Sequence, residues 1–154
     1  VKLLNNSGNP VVQQTGSVLQ VVQTTWTAYQ GVSTSTYADL TGSSIAITPT
    51  SSTSKILVLI SLNGCGKANA TSLNVKLQRN GSDLQTVANG IGYTNSTLQQ
   101  NNAIALNYLD SPASTSTQTY KLQIASDGNT ATAWVNNYQS ATGTSSVTLM
   151  EISA

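Results

Sequence analysis

The sequence predicts an all-β protein, an antiparallel β-sandwich or jelly roll, on three observations. Thr, Val, Ile and Tyr are plentiful and no window carries a 3.6-residue apolar stripe, so strands are favoured over helices. Apolar and polar residues alternate in short runs, most cleanly over Leu73-Asn74-Val75-Lys76-Leu77-Gln78-Arg79. Turn chemistry separates the runs at regular intervals, the spacing of a two-layer β protein.

Taken in order, residues 1–16 are weakly patterned and are expected to form an N-terminal arm or stalk remnant, leaving 17–154 as the jelly-roll domain. Strands are expected over Val18 to Tyr29, Tyr37 to Leu40, Ser44 to Ile47 and Lys55 to Asn63. The 73–79 run leads into Asn80-Gly81, whose residues suit the two positive φ angles of a type I′ turn, and Ser82 to Val87 returns as the hairpin partner. Further strands are expected over Ala103 to Asp110, Thr119 to Ala125, Thr130 to Val135 and Ser146 to Ile152. The connections are Thr48 to Ser54 with Pro49, Asn63 to Asn69 with two glycines, Asp110 to Thr117 with Pro112, and Ser126-Asp127-Gly128-Asn129.

Composition bounds the function. Ser 21, Thr 22, Asn 15 and Gln 12 make 70 of 154 residues uncharged and polar, while charged residues are 7%, against roughly 25% in ordinary globular proteins. Disorder is opposed by 35 residues of Val, Ile and Leu in alternating runs. A net charge of +1 offers no basic field for a row of phosphates, so nucleic acid is not an expected partner. The longest apolar run, Ile56-Leu57-Val58-Leu59-Ile60, falls far short of the ~18 residues of a membrane helix, and no membrane insertion is expected. The opening Val1-Lys2-Leu3-Leu4 has neither an initiator Met nor a signal-peptide pattern, so a processed or excised start is expected.

Catalytic chemistry finds little to work with. Histidine is absent, so Ser-His-Asp, Cys-His and His-ligated metal arrangements cannot be built from this chain. Cys65 is alone; Gly64, Gly66 and Lys67 could lower its pKa slightly, but without an imidazole to activate it the expected reading is a small residue in a turn. A glycosidase needs two carboxylates across one bond, and Asp39, Asp83, Asp110, Asp127 and Glu151 are not paired by any spacing. Asp83, Asp110 and Asp127 read as turn residues that bond local backbone. Asp127-Gly128-Asn129 is only a fragment of a Ca²⁺ loop, so no metal or cofactor is expected. Four Asn-x-Ser/Thr sequons, at Asn5, Asn69, Asn80 and Asn95, match the about four that 15 Asn and 43 Ser and Thr in 154 residues give by chance.

Two features point to contacts with other molecules. In Lys55 to Asn63, Ile56, Val58 and Ile60 face one way while Leu57 and Leu59 face the other, although a sandwich strand buries one face only. The cover is either a long loop of the same chain or another subunit; the loops are short, so a second subunit is the expected one, which makes these five residues the candidate subunit interface. Aromatics are few, with Phe absent, so Trp26 near a strand end and Tyr93 within the polar segment Asn89 to Gln100 are candidate ligand contacts together with Asn95; Trp134, inside a strand, is expected to be structural.

Several segments together resemble the C-terminal jelly-roll modules of tailed-phage fibre and virion structural proteins, particularly those of cyanophages and other aquatic phages. They are Gly16-Ser17-Val18-Leu19-Gln20-Val21-Val22-Gln23, the run from Ile47-Thr48-Pro49 through Ser54-Lys55-Ile56-Leu57-Val58, and Asn63-Gly64-Cys65-Gly66. Leu109-Asp110-Ser111-Pro112 with Thr119-Tyr120-Lys121-Leu122, and the ending Val147-Thr148-Leu149-Met150-Glu151-Ile152, complete the match across residues 16 to 152. The resemblance implies a non-enzymatic virion component that assembles as a homotrimer and carries no catalytic residues. Some phage fibre trimers hold iron through His-x-His, a device this chain lacks. The expected role is a fibre or appendage tip contacting a host-surface glycan. Two other roles fit the same residues: a capsid decoration or cement protein bound to other virion proteins, and a carbohydrate-binding module.

Overall fold

The computed structural model describes residues 14–96, 100–127, 131–137 and 143–154. Eleven strands occupy them: β1 (Val18–Trp26), β2 (Gln30–Val32), β3 (Ala38–Asp39), β4 (Ile45–Ile47), β5 (Lys55–Lys67), β6 (Leu73–Arg79), β7 (Ser82–Ile91), β8 (Gln100–Asp110), β9 (Gln118–Ser126), β10 (Ala133–Val135) and β11 (Ser145–Ile152). All pairings are antiparallel.

The first sheet runs β1-β11-β5-β8. β8 follows one edge of β5 from Ile56 to Lys67, so β11 and the short β10 share the other edge, and β2 extends the sheet beyond β10. The second sheet is β9 and β6 side by side, with β7 beyond β6 and with β3 and β4 sharing the outer edge of β9. Apart from the β6–β7 hairpin, the chain passes from one sheet to the other at each main step: β1, then β3 and β4, β5, β6 and β7, β8, β9, β11. Two four-stranded antiparallel sheets linked in this way form a jelly roll. β1 lies against β4, β5 against β6, and β8 against β7.

Alternation determines which residues enter the core. Ile56, Val58, Ile60 and Leu62 of β5 meet Leu73, Val75 and Leu77 of β6 and Tyr120, Leu122 and Ile124 of β9, all fully or almost fully buried. Asn80 and Gly81 have φ of 50° and 84°, as the type I′ turn requires.

Three sequence expectations are corrected. The glycine-containing segment from Asn63 to Asn69 was expected as a turn, yet β5 runs on to Lys67. A register shift between Leu62 and Cys65, with Gly64 at φ 55°, absorbs the irregularity as a bulge, so the strand bends and continues. Cys65 is therefore buried inside a strand, and burial pushes its thiol up to about 12 instead of lowering it. Finally, Val18 to Tyr29 is not one strand: β1 ends at Trp26 and the chain re-enters the sheet as β2. Most of the proposed arm, and Gly128 and Asn129 of the turn at Ser126-Asp127-Gly128-Asn129, lie outside the described residues.

Candidate functional site

The outward face of the first sheet is the candidate interaction site, and strand register builds it. Val21 pairs with Met150, Met150 with Leu57, and Leu57 with Leu109, so four apolar side chains form a row across all four main strands. Val21 and Leu109, at the two ends, are 52% and 53% exposed, and Leu57 and Met150 are half-buried. The next row is Gln23, Thr148, Leu59 and Asn107, and the one after it Thr25, Ser146, Ser61 and Ala105. No residue in these three rows carries a charge. Gln23 donates to Thr148 Oγ1 at 2.7 Å, tying the polar row together across β1 and β11.

Of the five interface candidates, Ile56, Val58 and Ile60 are sealed inside the protein's own core and cannot meet another molecule. Leu57 and Leu59 do face outward. Val21, Met150 and Leu109 were missed, because only the pairing of β1, β11, β5 and β8 brings them level with Leu57. The signal in the sequence was an apolar residue at an outward parity position, and it is weak for any single strand.

The outer face of the second sheet is chemically different. Lys121 Nζ bonds Asp39 Oδ2 at 2.7 Å and Lys76 Nζ bonds Asp83 Oδ2 at 2.9 Å, with Lys76 also 4.4 Å from the centroid of the Tyr37 ring. Hydrogen bonds from Lys121 and Gln123 lower the Asp39 pKa, and those from Gln78 and Lys76 lower that of Asp83. The outer face of the second sheet thus carries ion pairs, whereas these three rows of the first carry no charge, the exposed Lys55 lying one row beyond Leu57.

Two buried carboxylates close the core at one end, on the inward row Gln20, Glu151, Ile56 and Asp110. Glu151 accepts Gln20 Nε2 at 2.6 Å and both the N–H and the hydroxyl of Thr50 at 2.7 Å, pinning the β4–β5 connection to β11. Burial works to raise its pKa, but the donors from Gln20 and Thr50 outweigh it and bring the group to about 2. Asp110 accepts Arg79 Nη1 at 2.5 Å, Tyr120 Oη at 2.7 Å and Ser111 N at 2.8 Å, joining the two sheets. It is more than the turn residue the sequence suggested. The N-terminal segment arrives at this same end, where Gly16 N donates to Ser153 O at 2.9 Å.

The opposite end holds the added strands β2 and β10 and the β7–β8 connection. Tyr93 is 56% exposed there and Asn95 is exposed as well, but β7 reaches Ile91 and β8 starts at Gln100, so the connection is shorter than the polar segment suggested. Lys67 is fully buried and holds this connection by donating to the Thr94 hydroxyl and the Ser96 carbonyl, and to Asn69 O at 2.8 Å. Trp26, a candidate ligand contact, is buried. It is 8% exposed, and Gly42 packs so closely on it that a Cβ there would stand 2.8 Å from Trp26 Cβ.

No protein-family model matches the chain, and no curated protein matches it. Among solved structures, the VP2 subviral particle of infectious bursal disease virus aligns with all of this chain at 15% identity and a TM-score of 0.48. The chain spans 42% of that protein's length.

Proposed function

We propose that the chain is a non-enzymatic structural subunit of a phage virion, a homotrimer that forms the tip of a tail fibre or appendage and contacts the host surface. The observation that carries this proposal is the set of three uncharged rows on the outer face of the first sheet, led by Val21–Met150–Leu57–Leu109. Burying these rows removes apolar area from water and strands no charge, since Lys55 lies at their margin and bonds Ser111 at 2.9 Å, so they suit packing against copies of the chain about a closed axis. The resemblance to phage fibre modules supplies the threefold number and the particle. The charged outer face of the second sheet then stays in solvent.

The two ends support the tip role. Gln14 and Gly16 are bonded to Ser153 at the end closed by Glu151 and Asp110. The exposed Tyr93 and Asn95 sit at the far end, free to meet a target. With charge so scarce, that contact relies on amides, hydroxyls and aromatic rings rather than long-range steering.

Adding the purified protein to host cells and, in parallel, to capsids lacking it tests the role. The fibre role predicts cell adsorption that Tyr93→Ala weakens. Capsid binding that disappears on deleting residues 1–13 would instead establish a decoration protein, and binding to neither would overturn host recognition.

A further inference from the structure

The outer face of the second sheet carries a groove of about 470 Å³. Its floor is β9 at Thr119 and Lys121; one wall is the β3–β4 connection from Asp39 to Ser44, and the other is the hairpin turn Asn80–Gly81. The volume lies within the ~300–1,000 Å³ of small-ligand sites. We infer that this groove is a binding site for a neutral saccharide, with Asp39 and Lys121 as its principal hydrogen-bonding pair.

Both walls are held from behind. Asn80 Oδ1 accepts Thr119 N at 2.9 Å and its Nδ2 donates to Gln118 Oε1 at 3.0 Å, which fixes the hairpin to β9. On the other side Gln30 bridges the β3–β4 connection, donating to Asp39 O and accepting Thr41 N, each at 2.8 Å. Gly42, at φ 87°, rests on Trp26. Trp26 therefore supports a wall of the groove without touching its contents.

The charge arrangement selects the ligand. Lys121 and Gln123 each donate to one oxygen of Asp39, at 2.7 and 2.6 Å, so the groove's two charges neutralise each other. Each carboxylate oxygen keeps acceptor capacity, and the ammonium has three N–H groups of which Asp39 takes one. An anion entering the groove meets Asp39, and a cation meets Lys121. A sugar hydroxyl both donates and accepts, so it satisfies both without leaving an unpaired charge. The groove lies across the sandwich from the apolar row, so each copy in the proposed trimer would present one site and gain avidity from the others. The site itself belongs to a single chain and does not depend on the trimer.

Isotope-labelled protein titrated with glucose, galactose, mannose, N-acetylglucosamine and their short oligomers, and separately with inorganic phosphate, tests the inference by amide shifts. The expected result is saturable shifts at Thr41, Gly42, Gly81 and Lys121 with a neutral sugar, stronger with its oligomer. Asp39→Asn should weaken that binding at least tenfold, and Ser44→Trp, at an exposed position on the wall, should abolish it while distant resonances stay in place. Saturation by phosphate alone, shifts confined to other surfaces, or no saturable shift with any neutral sugar would each overturn it. Light scattering on the same samples reads the oligomeric state independently, so failure of the trimer and failure of the groove are separable.

Discussion

Glu151 is the residue through which pH should act most strongly, and Asp110 the one most sensitive to substitution. Glu151 sits at about 2 in the folded chain against an ordinary 4.5, so folding favours its ionised form. Its contribution to stability is complete above about pH 4.5 and is lost as pH falls towards 2. Urea unfolding across that window should show a falling midpoint, and Glu151→Gln should remove part of the slope. Asp110→Ala leaves the buried Tyr120 hydroxyl and the Arg79 guanidinium without their shared acceptor, and should destabilise the fold by roughly 3 kcal/mol in the same measurement. Cys65, fully buried with its thiol held near 12, should resist thiol reagents in the native protein and react only on unfolding. None of these roles was legible in the sequence. Asp110 precedes Ser111-Pro112 and reads locally as a turn residue, because its partners Arg79 and Tyr120 reach it only through the packing of the two sheets.

At the scale of elements, strands with clean alternation were legible, and those that depend on a partner were not. β6, β9 and β11 lie within one residue of the positions their patterns predict, and Asn80-Gly81 forms the predicted hairpin turn. β2 is three residues, too short to carry a period, and exists because it pairs with β10; β10, the three residues Ala133–Val135 of the expected strand from Thr130 to Val135, pairs in turn with the far end of β5. β5 itself was cut short because glycine usually marks a turn, whereas here Gly64 forms a bulge against the backbone of Asn137. A Cβ at Gly64 would stand 2.8 Å from Asn137 N, in a left-handed backbone conformation that disfavours side chains. Gly64→Ala should therefore lower stability by about 2 kcal/mol, read as a drop in Tm by calorimetry. Gly81→Ala tests the alternative that any left-handed glycine matters equally. Its Cβ meets nothing within 4 Å, so it should lose only the backbone preference and a smaller amount of stability.

Over the whole molecule, the organising feature is the difference between the two outer faces. The second sheet places ion pairs and a groove in solvent, while the first presents neutral rows around Val21, Met150, Leu57 and Leu109. The sequence exposed half of this, through the two-faced run at Leu57 and Leu59. The full row emerged only with the register of four strands drawn from distant parts of the chain. Leu109 is already 53% exposed, so Leu109→Asp should leave the fold of one chain intact and put an unpaired charge into any interface formed on that face. Light scattering at micromolar concentration is the most direct test. The account predicts a mass of about 48 kDa, three times 16.0 kDa, falling towards 16.0 kDa in Leu109→Asp with an unchanged far-ultraviolet spectrum. A 16.0 kDa monomer for the unmodified chain, or a trimer indifferent to Leu109→Asp, would contradict it.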